Sequence, residues 1–564
     1  MASVRCEAAS SRSKLREPEG PSFTINGHEV EWQNWKFRIG FNAREGLTLH
    51  TVSYKDQGRE RPVLYRAALS EMVVPYGDPG PIQNRKNAFD SGEYGIGQLA
   101  NSLELGCDCV GYIKYFDGVM TNSKGELMVI KNAICMHEED FGILWKHTDW
   151  RTNDVEVRRS RRLVVSSIST VANYEYGFFW YLYQDGNIQF EVKLTGILST
   201  AGLHPGETPK YGTMVGPDLY APNHQHFFNV RMDMQIDGNE NSVYEVNVVP
   251  EELGEGNPQE NAFYAKSTLL ETEKQAKRDI KLETARYWKI VNDNVKNDLG
   301  QSVGYKMVTG ENCFPFASDN SSLLKRAGFI KHHLWVTPYD EDELYASGKY
   351  PNQHIGGDGL ASWVERDRPI NNTDIVVWYT MGHTHVPRPE DWPVMPAAYI
   401  GFMLKPVCFF GQSPAIDLPP SPKKNYCSKR DENERSAKVK GVKAMLHKIR
   451  FMGKETKYSA LSVLSLAAVF LLHLVHWLAA PLLMGAAAVG MHMEHQHDMG
   501  GSGSTLMQLL MLVVFIVNLV SMYFAGRRLS LAWKNRSGAT HRTYLCSFVS
   551  VGVLCVGVFT ALSL

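Results

Sequence analysis

The sequence predicts a mainly β protein, a large antiparallel β-sandwich that is followed by an α-helical transmembrane tail. Short runs of alternating apolar and polar residues, broken by Gly, Asn, Asp and Pro, fill residues 23–412. Two of these runs flank Asp185 and Gly186, and alternating runs around an Asp-Gly pair are typical of a β-hairpin. The end of the chain instead contains long uncharged apolar runs, which favour membrane helices.

Composition excludes several classes of protein. The 564 residues include 59 basic and 60 acidic side chains, so there is no excess of positive charge to neutralise the phosphates of a nucleic acid. Nine cysteines are too few for a disulfide scaffold, and the sequence has no C-x-x-C pair for zinc. Residues 1–22 form a polar N-terminal tail without the apolar stretch of a secretory signal.

The C-terminal part changes composition twice. Residues 413–457 begin with a proline-rich stretch and then carry more Lys and Arg than Asp and Glu, which predicts a basic linker. Residues 458–564 are predicted to be a membrane tail, and the runs long enough to cross a bilayer are 459–489, 505–525 and 544–564. Basic residues precede the first run and follow the second. The positive-inside rule therefore predicts a multi-pass membrane protein, in contact with lipid, whose β domain lies on the cytosolic side.

Two polar segments fit neither pattern. Residues 259–297 are rich in charge and compatible with a helix, so we expect either a helix or an excursion that reaches a partner. Residues 491–499 alternate Met and His, which are side chains that suit copper. A polar loop without metal is the favoured interpretation of the same composition.

A His-x-His pair lies in residues 223–238, NHQHFFNVRMDMQIDG, which alternate as a strand does. His224 and His226 would then share one face of the strand, about 6.6 Å apart at roughly 3.3 Å per residue. Two imidazoles at that spacing can converge on one metal ion. A third ligand is required, and spacing alone does not identify it.

Residues 163–176 read LVVSSISTVANYEY, which by composition is a strand that ends in aromatic packing. The apolar residues, the threonine and the Asn-Tyr-Glu-Tyr run of this segment resemble the cofactor signature of the copper-containing amine oxidases. In that family the tyrosine directly after the asparagine is oxidised to topaquinone, which implies that Asn173 and Tyr174 belong to the catalytic site. The resemblance extends over about residues 20–412 and looks most like the peroxisomal-type branch.

A second segment, from Thr380 to Pro393, resembles the family signature that supplies the third copper ligand. By this match His385, and not the neighbouring His383, joins the His-x-His pair. The resemblance therefore implies a copper(II) ion that is held by His224, His226 and His385.

Two further segments match family positions. Residues 87–95, NAFDSGEYG, resemble the stretch that carries the catalytic base, which falls on Asp90. Tyr76, in the run VPYGD, resembles the tyrosine that hydrogen-bonds the quinone and steadies its orientation. Ala88 is small, which implies a substrate channel that no aromatic ring closes. Without the resemblance, each segment would be interpreted as a surface turn.

The resemblance implies that O2 oxidises primary amines to an aldehyde, ammonia and hydrogen peroxide, with Tyr174 as the topaquinone that forms a Schiff base with the amine. It also implies a homodimer. Residues 23–412 would be the catalytic domain, without the two small α/β domains that precede it in most members. An alternative is a non-catalytic copper-binding membrane protein that keeps the family scaffold.

The resemblance also implies a calcium site and a disulfide. The calcium ligands would be Asp233, Met234, Asp374 and Ile375, the second and fourth through their carbonyls. Gln235 stands where many members have another Asp, so solvated surface carboxylates are the alternative. Cys109 and Cys135 match cysteines that some members join, although two free thiols suit a reducing compartment.

Overall fold

The computed structural model describes residues 20–420, which belong to one compact unit of the chain, and isolated helical positions between 519 and 555. The first seven strands of the described part are β1 (Phe23–Asn26), β2 (Glu29–Trp32), β3 (Trp35–Asn42), β4 (Gly46–Asp56), β5 (Arg59–Val73), β6 (Lys114–Thr121) and β7 (Leu127–Thr148). The next seven are β8 (Val155–Val171), β9 (Tyr174–Tyr183), β10 (Ile188–Gly196), β11 (Ala201–Gly202), β12 (Gly212–Gly216), β13 (Leu219–Pro222) and β14 (His224–Met234).

The remaining strands are β15 (Ser242–Pro250), β16 (Phe263–Leu270), β17 (Tyr287–Lys296), β18 (Ser302–Thr309), β19 (Leu334–Pro338), β20 (Ile375–His385) and β21 (Met395–Val407). Two short α-helices, α1 (Ser322–Arg326) and α2 (Leu360–Trp363), connect strands. Single 3₁₀ turns occur at Gln83–Arg85, Leu282–Thr284, Gly328–Lys331, Val364–Arg366 and Pro389–Asp391.

The strands form two large antiparallel sheets and one small sheet. The first large sheet has eight strands in the order β1-β2-β3-β4-β5-β14-β20-β19. The second has ten strands in the order β16-β15-β17-β18-β21-β10-β9-β8-β7-β6, and the small sheet has the order β11-β13-β12. Residues of both large sheets share one hydrophobic core, which confirms the predicted mainly β, antiparallel fold.

The strand pattern predicted around Asp185 and Gly186 is confirmed. Strands β9 and β10 pair across this turn, with Leu182 opposite Ile188, and Gly186 adopts a φ of +82° that favours glycine. In β10 every second residue is buried, which is the burial pattern of a strand with one face on a core.

The helix expected in residues 259–297 is not formed. This segment contains β16, a 3₁₀ turn and β17, which belong to the ten-stranded sheet. In β17 Trp288 and Ile290 alternate into the core, while Lys289 and Asp293 are partly buried and Lys296 is exposed. Most of the charged residues lie in the connection between these two strands, residues 271–286, so the density of charge marks a connecting segment and not a helix.

Cys109 and Cys135 form a disulfide, as the family resemblance implied. Cys135 lies in β7, and Cys109 lies in the turn that precedes β6. The bond joins positions 26 residues apart and therefore fixes this turn against the sheet.

The predicted membrane spans, 459–489, 505–525 and 544–564, lie outside the described residues except for a few isolated positions. Within the described positions, no helix combines the length and the apolar character that crossing a membrane requires. A bilayer span needs about 20 continuous helical residues. The described part of the chain therefore gives no support to the predicted transmembrane tail. The Met- and His-rich segment 491–499 and most of the linker 413–457 also lie outside the described residues.

Close packing around β20 gives a test of the fold. A Cβ on Gly382 would lie 2.7 Å from both Cys313 Sγ and Phe227 Cε1, so Gly382→Ala should overpack this part of β20. We expect the free energy of unfolding to fall by about 1–3 kcal/mol, measured by denaturant titration of the metal-depleted protein. The control is Gly256→Ala, where a Cβ meets nothing within 4 Å. Equal stability of the two variants would contradict this packing.

Candidate active site

Strands β14 and β20 bring three histidines together. His224 and His226 alternate onto one face of β14, and the antiparallel register places His385 directly opposite His224. The ring centroid of His224 lies 4.7 Å from that of His226 and 4.8 Å from that of His385. One ligand atom from each ring lies within 4.8 Å of the other two. The structure therefore assembles the three predicted copper ligands.

Hydrogen bonds determine which nitrogen of two of these rings is free. His224 Nδ1 lies 2.9 Å from the Pro222 carbonyl oxygen. Because a carbonyl can only accept, Nδ1–H donates this bond and Nε2 keeps its lone pair. In the same way, His385 Nε2–H donates to the Asp391 carboxylate over 3.2 Å, which leaves the lone pair on Nδ1.

The free nitrogens fit a metal ion. His226 Nε2 and His385 Nδ1 are buried and have no hydrogen-bond partner among residues 20–420. A buried polar atom without a partner is costly, and a metal bound there would satisfy both atoms. His226 Nδ1 lies 3.0 Å from Tyr176 Oη, so the opposite nitrogen of that ring is the one available to a metal. Three imidazole nitrogens are a ligand set that suits copper(II).

The three rings are neutral at physiological pH. Burial, together with the neighbouring His385, lowers the pKa of His224 to about 3. Burial and His224 lower the pKa of His226 well below its usual value. Burial alone would raise the pKa of the Asp391 carboxyl, but hydrogen bonds from Arg388 lower this pKa to about 2. Asp391 is therefore a carboxylate that can accept the hydrogen bond of His385.

Tyr174 lies against the histidines at the first residue of β9. Its hydroxyl donates to His224 Nε2 over 2.8 Å, since that nitrogen carries the lone pair. Burial, and after it the adjacent Tyr76, raises the pKa of the Tyr174 phenol, so the hydroxyl is protonated at neutral pH. The phenol therefore touches the position where a metal would bind.

A tight turn between β8 and β9 precedes Tyr174. Val171 pairs with Tyr174, and Ala172 and Asn173 form the two-residue loop, in which Ala172 has a φ of +52°. The Asn173 side chain is exposed, and its backbone carbonyl accepts a hydrogen bond from Ile197 N–H over 2.8 Å. A Cβ on Gly196 would lie 2.6 Å from that carbonyl, so glycine permits β10 to approach the turn closely.

A cavity of about 450 Å³ opens beside Tyr174. Tyr76, Ala88 and Asp90 line it, which brings the predicted base to the same cavity as the predicted cofactor tyrosine. The other lining residues are Val74, Arg85, Lys86, Tyr94, Leu99, Val171, Ala172 and Tyr176. Most of them are apolar or aromatic, as is usual for a small-molecule site.

The carboxyls of Glu71, which is buried, and Glu93, which is partly buried, hold the turn that carries Asp90. Glu71 accepts hydrogen bonds from the backbone N–H groups of Met72 and Gly92, and Glu93 accepts one from Phe89 N–H. Burial is the main cause that raises the pKa of Asp90 to about 8, and the negative charges of Glu71 and Glu93 add to it. A carboxyl with such a pKa can take up and release a proton near neutral pH.

Tyr76 contacts both Tyr174 and the metal ligands. Its ring stacks on His224 with centroids 4.8 Å apart, and its hydroxyl hydrogen-bonds with Tyr174 and Ser199. Lys86 donates to Ser199 Oγ and lies 5.4 Å from the Tyr76 ring. Tyr76 is therefore fixed from several sides at the wall of the cavity.

The sequence did not reveal the partners of the histidines. Tyr176 lies two residues after Tyr174 on the same strand face, so its position was available from the strand period. Asp391 lies within the matched segment, but its hydrogen bond to His385 depends on the 3₁₀ turn at Pro389–Asp391. The Pro222 carbonyl is a backbone group, and no sequence signal identifies it.

The four residues predicted to bind calcium lie at one end of the β14–β20 pair. Asp233 is close enough to Asp374 for the second carboxyl to contribute to raising the pKa of Asp233 to about 6, with burial as the main cause. Arg231 lies 3.5 Å from Asp233 and competes with a cation for that carboxylate. The calcium site therefore stays a prediction.

The sequence was compared with known proteins. A family model described as "Copper amine oxidase, enzyme domain" matches residues 24–425. The chain belongs to the copper amine oxidase family. The chain is 56% identical over 410 residues to diamine oxidase (copper-containing) 1, peroxisomal, from Nicotiana tabacum, an alignment that covers 72% of this chain and 52% of the relative.

Two further relatives agree. The primary amine oxidase of Arthrobacter sp. (strain P1) is 56% identical over 409 residues, which cover 72% of this chain and 63% of the relative. The crystal structure of a copper-containing benzylamine oxidase from Hansenula polymorpha superposes with a TM-score of 0.71 at 40% identity, covering 74% of this chain and 65% of the other. The chain therefore spans between half and two thirds of the length of these relatives.

The predicted multi-pass membrane localisation is wrong. The tobacco relative is named as peroxisomal, and the described part of the chain contains no helix able to cross a membrane. Uncharged apolar runs were the basis of that prediction, but such a run establishes a membrane span only where it forms a continuous helix. Two further predictions depended on the same apolar runs. These are the contact with lipid and the cytosolic side of the β domain, and neither is supported.

The bond between His385 and Asp391 gives a prediction for metal affinity. Asp391→Asn removes the charge that orients and polarises His385, so copper affinity should fall by about 10–100-fold. Titration of the metal-depleted protein against a competing chelator would measure it. The control is Asp279→Asn. Asp279 pairs with His332 at a comparable distance of 3.1 Å, and neither residue belongs to the group of three histidines. Unchanged copper affinity in Asp391→Asn would contradict the assigned ligand nitrogen.

Proposed function

We propose that this chain catalyses the oxidative deamination of primary amines, in which amine, O2 and water give an aldehyde, ammonia and hydrogen peroxide. The arrangement that supports this proposal is the phenol of Tyr174 between two groups. On one side lie three imidazoles, of which His224 accepts the hydrogen bond of the phenol and the other two have nitrogens without a partner among residues 20–420, and on the other lies the cavity that Asp90 lines.

We assign the metal ligands as His224 Nε2, His226 Nε2 and His385 Nδ1. These are the nitrogens that remain after the hydrogen bonds to Pro222, Tyr176 and Asp391 have used the others. When bound, copper supplies the redox chemistry by which O2 converts Tyr174 to topaquinone, and the quinone supplies the carbonyl that takes up the amine nitrogen.

In this proposal the residues around Tyr174 position it and exclude water. Tyr76 hydrogen-bonds the Tyr174 hydroxyl and limits the orientations of the ring. The β8–β9 turn that contains Asn173 fixes the backbone, since its carbonyl accepts from Ile197. The side chain of Asn173 is exposed, so we assign this residue to the site for the position of its backbone and not for a side-chain contact.

Asp90 is the proposed general base. Its carboxyl is buried, lines the cavity beside Tyr174 and is held by the turn that Glu71 and Glu93 brace. In the proposed step, Asp90 takes a proton from the substrate carbon next to nitrogen. A pKa near 8 suits this step, because the resulting acid retains the proton at neutral pH and can release it later.

The substrate class is a primary amine of modest size. The apolar cavity accommodates an aliphatic or aromatic group, and Ala88 leaves its wall open. Relatives of this chain are named diamine oxidase, histamine oxidase and primary amine oxidase, so the names differ in substrate while the family is shared. We further propose a homodimer, residues 23–412 as the catalytic domain, and a calcium site at Asp233, Met234, Asp374 and Ile375.

Replacement of Tyr174 tests the cofactor assignment. Tyr174→Phe should retain copper, because His224 Nε2 keeps its lone pair, but should lose the visible quinone band, its reaction with phenylhydrazine and all peroxide formation. The control is Tyr181→Phe, since Tyr181 lies on the same strand and bonds Glu191, away from the site. Peroxide formation by Tyr174→Phe would refute the quinone at this position. Wild-type protein that binds copper without a quinone band would instead be a non-catalytic copper protein.

The pH dependence tests the base. Below pH 8 Asp90 is largely protonated and cannot accept a proton, so kcat/KM should rise with pH and level off above about pH 8. Asp90→Asn should lower kcat by about a hundred- to ten-thousandfold. Glu93→Gln keeps the hydrogen-bond acceptor but removes a negative charge, so the rise should move to lower pH. Ionisation of the substrate amine affects the wild type and Glu93→Gln equally, so it cancels in the comparison. An unshifted pH profile in Glu93→Gln would contradict the assignment of Asp90 as the base.

A further inference from the structure

A fourth histidine lies beside the three proposed ligands. The β14–β20 register places His383 directly opposite His226, next to the opposed pair His224 and His385. Because residues two apart on a strand share a face, all four imidazoles lie on the same side of the sheet. The sequence resemblance selected His385 over His383, and the proposed function leaves His383 without a role.

His383 does not belong to the buried metal site itself. Its ring centroid lies 6.4 Å from that of His226 and 6.1 Å from that of His385. The group of ligand atoms within 4.8 Å of one another contains His224, His226 and His385 only. His383 Nδ1 instead lies 3.1 Å from a carboxylate oxygen of Glu311.

Exposure decreases from this pair toward the metal site. The side chain of Glu311 is 63% exposed and that of His383 is 16% exposed. The side chain of His385 is 8% exposed, and His226 is fully buried. The carboxylate, the half-buried ring and the buried rings therefore form a graded series from solvent to the site, with each ring close to the next.

The chemistry of this pair suits a copper ion in transit. Imidazole and carboxylate both bind copper(II), and a carboxylate at the surface attracts a hydrated cation. An ion that enters a buried site must exchange its water ligands for protein ligands. A ligand placed next to the site allows this exchange to proceed in steps, without a fully dehydrated ion.

We propose that His383 and Glu311 form a capture site that takes copper from solvent and transfers it to His224, His226 and His385. The transfer is a ligand exchange at constant oxidation state, so no electron donor or acceptor is needed. The inference rests on the proposed function, because it requires copper to be the resident metal of the three histidines.

The test measures the rate of copper uptake by the metal-depleted full chain under anaerobic conditions. Samples are quenched with a chelator at increasing times, and the retained copper is measured by atomic absorption. The second-order rate constant should fall by about tenfold in His383→Leu and about threefold in Glu311→Gln. The copper content and affinity at equilibrium should equal those of the wild type.

His332→Gln is the matched control. His332 is a half-buried histidine that pairs with Asp279 at the same 3.1 Å, but it lies outside the group of four imidazoles, so uptake should proceed at the wild-type rate. Thermal melting of each variant checks folding. If His383→Leu is misfolded, Glu311→Gln decides, because its exposed side chain is replaced by one of the same size.

Three results would overturn the inference. A wild-type uptake rate in both His383→Leu and Glu311→Gln shows that the pair has no part in capture. A loss of copper at equilibrium in His383→Leu makes His383 a resident ligand and not a transient one. An equal slowing in His332→Gln shows a general effect of removing a histidine. Wild-type protein that retains no copper would refute the proposed function instead, which is a separate outcome.

Discussion

The register between β14 and β20 is the constraint on which the whole site depends. His385 meets His224 only because these two residues are opposite one another, and a slip of one residue would turn His385 to the other face of the sheet. Apolar residues on the same face, among them Phe228 and Met381, belong to the core between the large sheets and fix this register. The metal geometry is therefore a consequence of hydrophobic packing along these two paired strands.

Burial then gives the same residues their chemical state. The histidines lie where solvent is excluded, so their protonated forms are disfavoured and their lone pairs are available. Each ring is oriented by a hydrogen bond from the nitrogen that faces away from the metal position, to Pro222, Tyr176 or Asp391. Such bonds select the ligand nitrogen before any metal arrives, which reduces the reorganisation that binding requires.

The sequence predicted what is local and periodic. Alternation identified β9, β10 and the turn at Asp185 and Gly186, and the strand period placed His224 and His226 on one face. The third ligand could not be derived in this way, because the pairing of β14 with β20 joins segments far apart in the chain, and only the family resemblance selected His385. The environment of Asp90 was equally out of reach, since Glu71 approaches it from β5. Charge density misled in residues 259–297, where most of the charged residues belong to the connection between β16 and β17.

Burial has opposite effects on acids and bases, and the cavity depends on both. It lowers the pKa of the histidines and raises that of Asp90, so all of these groups are largely neutral at pH 7. Lys86, which lines the same cavity, adds a positive charge at its wall. An ammonium ion gains no carboxylate partner there at neutral pH, and a free amine costs much less than a charged ion to transfer out of water. In the proposed reaction the nucleophile must be the free amine. The electrostatics that keep the ligands neutral therefore also favour the reactive form of the substrate.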